Sequence, residues 1–217
     1  GGKKLIFARM LALAVTIISV CNIATASDKF VIDGNTIIYD TYAASDEYEQ
    51  EITWDDVDEL EGLLKSNKSI AKIELNSGGG IIEAAVFMAD LIIDFELDTN
   101  VNGTCKSACT LVFLGGEKRT VERGSWLGFH QSYWDASYIQ EYYEQNQNDS
   151  GWTTPFDFAS WLYEDTQQEV LRNLEYFVER GVDARFAIKT MRATSDDMWY
   201  PRRKELEAAN VIRDKPE

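Results

Sequence analysis

The period of the apolar positions changes several times along the chain, and each change marks a new element. In "FVIDGNTIIYD", Phe30 to Asp40, apolar and polar residues alternate about Asp33-Gly34. That pair suits a tight turn, so the segment predicts a β-hairpin. In "TWDDVDELEGLLKSN" the period lengthens: Trp54, Val57, Leu60 and Leu64 fall at helical spacing, with Thr53 and Asp56 placed as a capping box. "AKIELNSGGG" then predicts a short strand over Ile73 to Leu75 that runs into three glycines. "IIEAAVFMADLIIDFEL" is apolar nearly all round, as in a helix buried between a sheet and other elements. Strand, glycine turn and buried helix open a βαβ unit, so the fold class predicted is α/β.

The second half repeats this logic. "SACTLVFLGG" predicts a helix from Ser107 with a Gly115-Gly116 stop, and a strand lies near Trp126 to Phe129. From Ser132 to Phe158 the chain is aromatic and polar without a clean period, and reads as an irregular excursion, partly helical at most. Tyr133, Trp134, Tyr138, Tyr142, Tyr143 and Trp152 fit either a peptide groove or a layer packed over the core. A helix over about Ser160 to Arg180 ends at Gly181, Asp183 caps another, and Pro201 leads a last one. The basic run Arg202 to Lys204 is most simply a solvated helix face. No repeat or low-complexity linker divides residues 27–217, which read as one domain.

Residues 1–26 stand apart. Lys3, Lys4 and Arg9 precede an apolar stretch from Met10 to Val20, and Ala24-Thr25-Ala26 follows, the pattern of a cleaved signal peptide. A lipid-anchored Cys21 is the alternative, with Val20 standing where a small residue is wanted. Cleavage predicts a periplasmic or secreted protein and removes three Lys or Arg and no acid, taking the formal charge from −16 to −19. So acidic a chain is repelled by phosphate backbones and anionic lipid, which argues against nucleic-acid and membrane partners. Cleavage also leaves two cysteines, Cys105 and Cys109, an even number in a compartment that permits a disulfide. Two buried free thiols are the other reading.

Candidate chemistry is sparse. His130, in "WLGFHQS", is the only histidine, so a multi-histidine zinc site is excluded and an imidazole base has one candidate. Ser107, in "GTCKSACTLVFLGG", is by default a helix cap. Combined with a strand-end histidine and the "SGGG" turn, it supplies the parts of an acyl-transfer site: nucleophile, base and close-approaching backbone amides. "SGGG" lacks the dinucleotide and P-loop patterns, so no cofactor is expected. Lys106 invites a Ser-Lys pair, but neighbouring side chains diverge and a solvent-facing lysine is the simpler reading.

"ELNSGGGIIEAAVFMADLI", "GTCKSACTLVFLGGEKR" and "GSWLGFHQS" together resemble the Clp protease proteolytic subunit and its crotonase-fold relatives. The resemblance runs over about Ile73 to Gln131, and the Cys-x-Ser-Ala-Cys frame is similar to exported, periplasmic Clp-like proteins. It implies a crotonase-type α/β fold of repeated ββα units. It also implies a serine peptidase in which Ser107 is the nucleophile and His130 the base, with the Gly79 and Ala108 amides forming the oxyanion hole. Asp197, or failing it Asp196, would be the acid that orients His130, and Asp165 is a further acid in a less readable region. Peptides or unstructured segments are the implied substrates, and a homo-oligomer is possible.

Two departures bear on this. Gly78 stands where the family has proline, which predicts a looser turn, and residues 132–158 do not match the family's ring-joining helix. A non-catalytic binding or assembly protein that retains the fold is the second reading. An acyl-thioester enzyme is disfavoured because such substrates belong to the cytoplasm.

Overall fold

The computed structural model describes residues 28–214, so the predicted signal peptide and Cys21 lie outside the described residues. The predicted hairpin is present: β1 (Phe30–Asp33) pairs antiparallel with β2 (Thr36–Asp40), and Gly34 takes φ +60° in the turn. Thereafter strands and helices alternate. Helix α1 (Trp54–Ser66) leads to β3 (Lys72–Ser77), α2 (Ile82–Asp94) to β4 (Asp98–Lys106), and α3 (Cys109–Leu114) to the short β5 (Arg119–Val121) and β6 (Trp126–Gly128). The sheet order is β1-β2-β3-β4-β5, with β6 also on β4, and every pairing after the hairpin is parallel.

Strand β4 was not foreseen, and it organises the site. Its first half, Thr99 to Val101, pairs with β5, and its second half, Thr104 to Lys106, pairs with β6. The sheet therefore divides at Asn102-Gly103, and β6 is delivered beside the end of β4, where Ser107 begins. The sequence hid this strand because "DTNVNGTCK" does not alternate: Asn100 is buried, satisfied by Glu74, Glu122 and Thr120 instead of by apolar packing.

In β3 Ile73, Leu75 and Ser77 point inward in period two, and α1 and α2 cover that face with Leu60, Leu64, Met88 and Ile92. The wholly buried α3 completes the same core with Val112 and Phe113. Under the hairpin Lys29 is buried against Asp56, whose carboxylate also takes the Tyr39 hydroxyl at 2.8 Å and the Thr53 amide at 2.9 Å. Asp56 thus caps α1, as predicted, and anchors the start of the described chain.

Residues 132–158 are more regular than their sequence suggests. Helix α4 (Ala136–Ser150) turns at Gly151, φ +72°, into the long α5 (Pro155–Glu179), which begins five residues earlier than expected. The aromatic residues divide into two groups. Tyr142 stacks on Trp161 at 5.9 Å between centroids, Trp152 and Tyr143 pack on Phe158, and these rings hold α4 to α5. Tyr133, Trp134 and Tyr138 face a cleft. Helices α6 (Ala184–Thr190), capped by Asp183 as predicted, and α7 (Arg203–Ala208) complete the fold. Among the described residues no helix is long and apolar enough to cross a membrane.

Candidate active site

Ser107 occupies the turn between β4 and α3 at φ +52°, a region that non-glycine residues enter at a cost. Three constraints hold it there. Its amide donates to the Gly128 carbonyl at 3.0 Å, extending the β4–β6 ladder by one step. A disulfide joins Cys105 in β4 to Cys109 at the start of α3, with Cα atoms 5.3 Å apart, and both cysteines are fully buried. The serine is therefore bracketed by a covalent brace. The third constraint is Gly79: a Cβ placed on it would lie 2.8 Å from Ser107 Cβ, 2.9 Å from the Lys106 carbonyl and 3.2 Å from the Ala108 amide.

Close backbone approach accounts for two of the three glycines after β3. Gly79 takes φ +106°, and Gly80, φ +150°, lies so close to Ile52 that a Cβ would overlap its backbone. The Ile52 amide donates to Gly79 O at 2.8 Å, and the Ile81 amide to Ile52 O at 2.9 Å. The turn is thus clamped between the residue 52 segment and Ser107, and at Gly78 the Tyr42 hydroxyl fills the space, 3.0 Å from where a Cβ would stand.

Ser107, His130 and Gly78 to Gly80 share the wall of one cleft of about 820 Å³. His130 follows β6 and is fixed on both sides. Phe129 exchanges two backbone hydrogen bonds with Trp199, each 2.9 Å, and the Gln131 amide donates to Ala193 O. The backbone thus brings the predicted nucleophile and base to one cavity. Lys106 does not line it; its stem passes over Gly128.

The predicted acid is not part of this arrangement. Asp197 is exposed and its carboxylate accepts the amide of Met198 at 2.7 Å, while Asp196 accepts the Thr194 hydroxyl. In the segment after α6 the residue that reaches the cleft is Met198. Nδ1 of His130 is buried and has no hydrogen-bond partner among the described residues. Burial alone lowers the pKa of the ring from its ordinary value, with no carboxylate raising it. Of the two amides predicted to meet an oxyanion, that of Gly79 donates to the buried Ser77 hydroxyl at 3.2 Å, a long bond with which an oxyanion there would compete. Asp165, half-buried on α5, adds its charge to that of Glu83 beside Glu169; the Glu169 carboxyl is raised above the usual range, first by burial.

Sequence reasoning missed Trp54, Glu51 and Glu83 on one wall of the cleft and Asp135 on the other. Nothing in their spacing marks them, because the site is assembled from the segment before α1, the start of α2 and the start of α4. Among the described residues no group of three or more His, Cys, Asp or Glu is arranged to hold a metal ion.

No protein-family model matches the chain, and no curated protein matches it in sequence. Solved structures do match in backbone. ClpP1 of Listeria monocytogenes is similar at 18% identity with a TM-score of 0.52, covering 75% of this chain and 84% of that one. Its N165D mutant gives 17% identity over the same shares, also at 0.52. The chain has a ClpP-like fold. The likeness covers the path of the backbone, and at this identity it assigns no side chain a role; the ClpP-like core thus agrees with the α/β class read from the sequence, while the chemistry rests on the residues of this cleft.

Proposed function

We propose that the protein is an exported serine hydrolase acting on peptide bonds, with Ser107 as nucleophile and His130 as base. The observation that carries this reading is Ser107 held at φ +52° against Gly79, at the edge of a cleft that also contains the sole histidine. A strained strand-to-helix turn presents a serine hydroxyl clear of its own backbone, which a nucleophile requires and a helix cap does not. The ClpP-like fold supports the peptidase class, and the Cys105–Cys109 bridge suits an oxidising compartment. Peptides or unstructured segments as substrates, and assembly of several copies, belong to the same proposal.

In the reaction Ser107 Oγ attacks the substrate carbonyl carbon while its proton passes to Nε2 of His130, and the oxygen, now negative, meets the Gly79 and Ala108 amides. Collapse breaks the C–N bond, and the leaving amine takes the proton from His130. Water then attacks the acyl ester through the same ring and frees Ser107.

One observation favours a second reading, a binding protein that keeps the fold. A neutral imidazole acts as base at Nε2 only if Nδ1 carries the proton, and a buried Nδ1–H without an acceptor is disfavoured. The described arrangement leaves Nδ1 unpaired in either tautomer, and turnover with Nδ1 protonated calls for substrate or a small movement to bring an acceptor to it. Hydrolysis of a mixed pool of unstructured peptides, followed by mass spectrometry, separates the readings. Cleavage lost in both Ser107→Ala and His130→Ala supports the hydrolase; peptide binding without cleavage supports the alternative.

A further inference from the structure

The cleft around Ser107 is lined by carboxylates and aromatic rings, and no Lys or Arg is among its lining residues. Glu51 and Trp54 stand before and at the start of α1, Glu83 in the first turn of α2, and Asp135 ahead of α4. None of the three carboxylates is paired with a basic side chain among the described residues. Asp135 occupies the position before α4 where an aspartate commonly caps a helix, yet its side chain makes no such bond.

The rings complete the pattern. Trp54 is 47% exposed, Tyr133 55% and Tyr138 49%, large apolar surfaces left open at the rim of a cavity. Open aromatic faces with unpaired carboxylates between them match a long cationic side chain, whose stem lies on the rings and whose charge meets the acids. The whole chain, at −16, adds a field that draws such a group inward.

We propose that this cleft selects a Lys or Arg side chain next to the bond it cleaves, an inference that rests on the hydrolase reading and names its substrate class. A neutral side chain gains only the ring contacts, and an acidic one meets Glu51, Glu83 and Asp135 as like charges.

The test uses the wild-type protein and fluorogenic peptides identical except for Lys, Arg, Leu or Glu beside the scissile bond. Lys and Arg peptides are expected to exceed the Leu peptide about tenfold in kcat/KM at low salt, the scale of a few partly screened ion pairs acting together. The Glu peptide is expected to be slowest. The Lys-to-Leu ratio should fall in high salt and fall again in Glu83→Gln and Asp135→Asn. A ratio near one, or one that neither salt nor these substitutions move, overturns the inference and leaves the hydrolase standing. If no peptide is cleaved, the hydrolase reading fails instead, and anisotropy with the same peptides, labelled, decides the preference separately: tighter binding of Lys and Arg peptides sustains it, and equal binding overturns it.

Discussion

Gly79 and Ser107 are in contact at the point where a side chain on Gly79 would begin: its Cβ would lie 2.8 Å from that of Ser107. The glycine turn after β3 and the serine turn after β4 thus fix each other, and the cleft inherits its shape from that contact. Gly79→Ala adds strain at φ +106° and a collision with the Lys106 carbonyl. A loss of at least about 2 kcal/mol in urea unfolding is expected, with reactivity at Ser107 abolished. Wild-type stability and reactivity in this variant would show that the contact is not what positions the serine.

The disulfide supplies the second constraint. In the chain-entropy picture a loop this short contributes about 2 kcal/mol, so Cys105→Ser with Cys109→Ser should lower stability by roughly that amount. Because the bridge spans Ser107, the rate of serine modification should drop further than the lost stability accounts for. Non-reducing peptide mapping should find the two cysteines linked. An unchanged modification rate in the double variant would reduce the bridge to a general staple.

Burial holds the pKa of His130 below its ordinary value, and this sets the sign of the pH dependence. The neutral ring is the working form, so the rate of Ser107 acylation should rise with pH, and its midpoint should lie below about 6.5. With the Asp197 carboxylate bound to the Met198 amide, Asp197→Asn should leave that midpoint in place. A midpoint above 6.5 that falls in Asp197→Asn would mean that the acid reaches Nδ1 in the working enzyme.

Lys29 and Asp56 form a buried ion pair at 2.9 Å that ties the start of the described chain to α1. Lys29→Met leaves Asp56 without its cation and should cost about 3–5 kcal/mol in chemical denaturation. The Lys29→Met, Asp56→Leu double variant should recover part of this, though not all, because Asp56 also caps α1 through the Thr53 amide. A single variant as stable as the wild type would contradict the assigned role.

The parts of the fold legible in the sequence were those whose partners lie nearby or whose burial is apolar. The Asp33-Gly34 hairpin, the Thr53 start of α1 and the Gly-rich turn into α2 carry local signals, and each stands as read. Strand β4 lacked one because its buried Asn100 is satisfied across strands by Glu74, Glu122 and Thr120. Helix α4 lacked one because its apolar face is made of tyrosines whose partners, Phe158 and Trp161, lie on the next helix. His130 was readable as the only histidine, and Ser107 from its place between Cys105 and Cys109 at the start of an apolar run. The acid was not: which residue of an extended segment faces the cleft depends on its register against Phe129, and that register presents Met198.

The central claim is that Ser107 is a nucleophile activated by its surroundings, and the most direct measurement is the site of attachment of a fluorophosphonate. The native protein at neutral pH should gain one adduct, mapped by peptide mass spectrometry to Ser107, absent in Ser107→Ala and strongly slowed in His130→Ala. A native, folded protein that takes no adduct, or takes it at another serine with Ser107 untouched, would contradict the account.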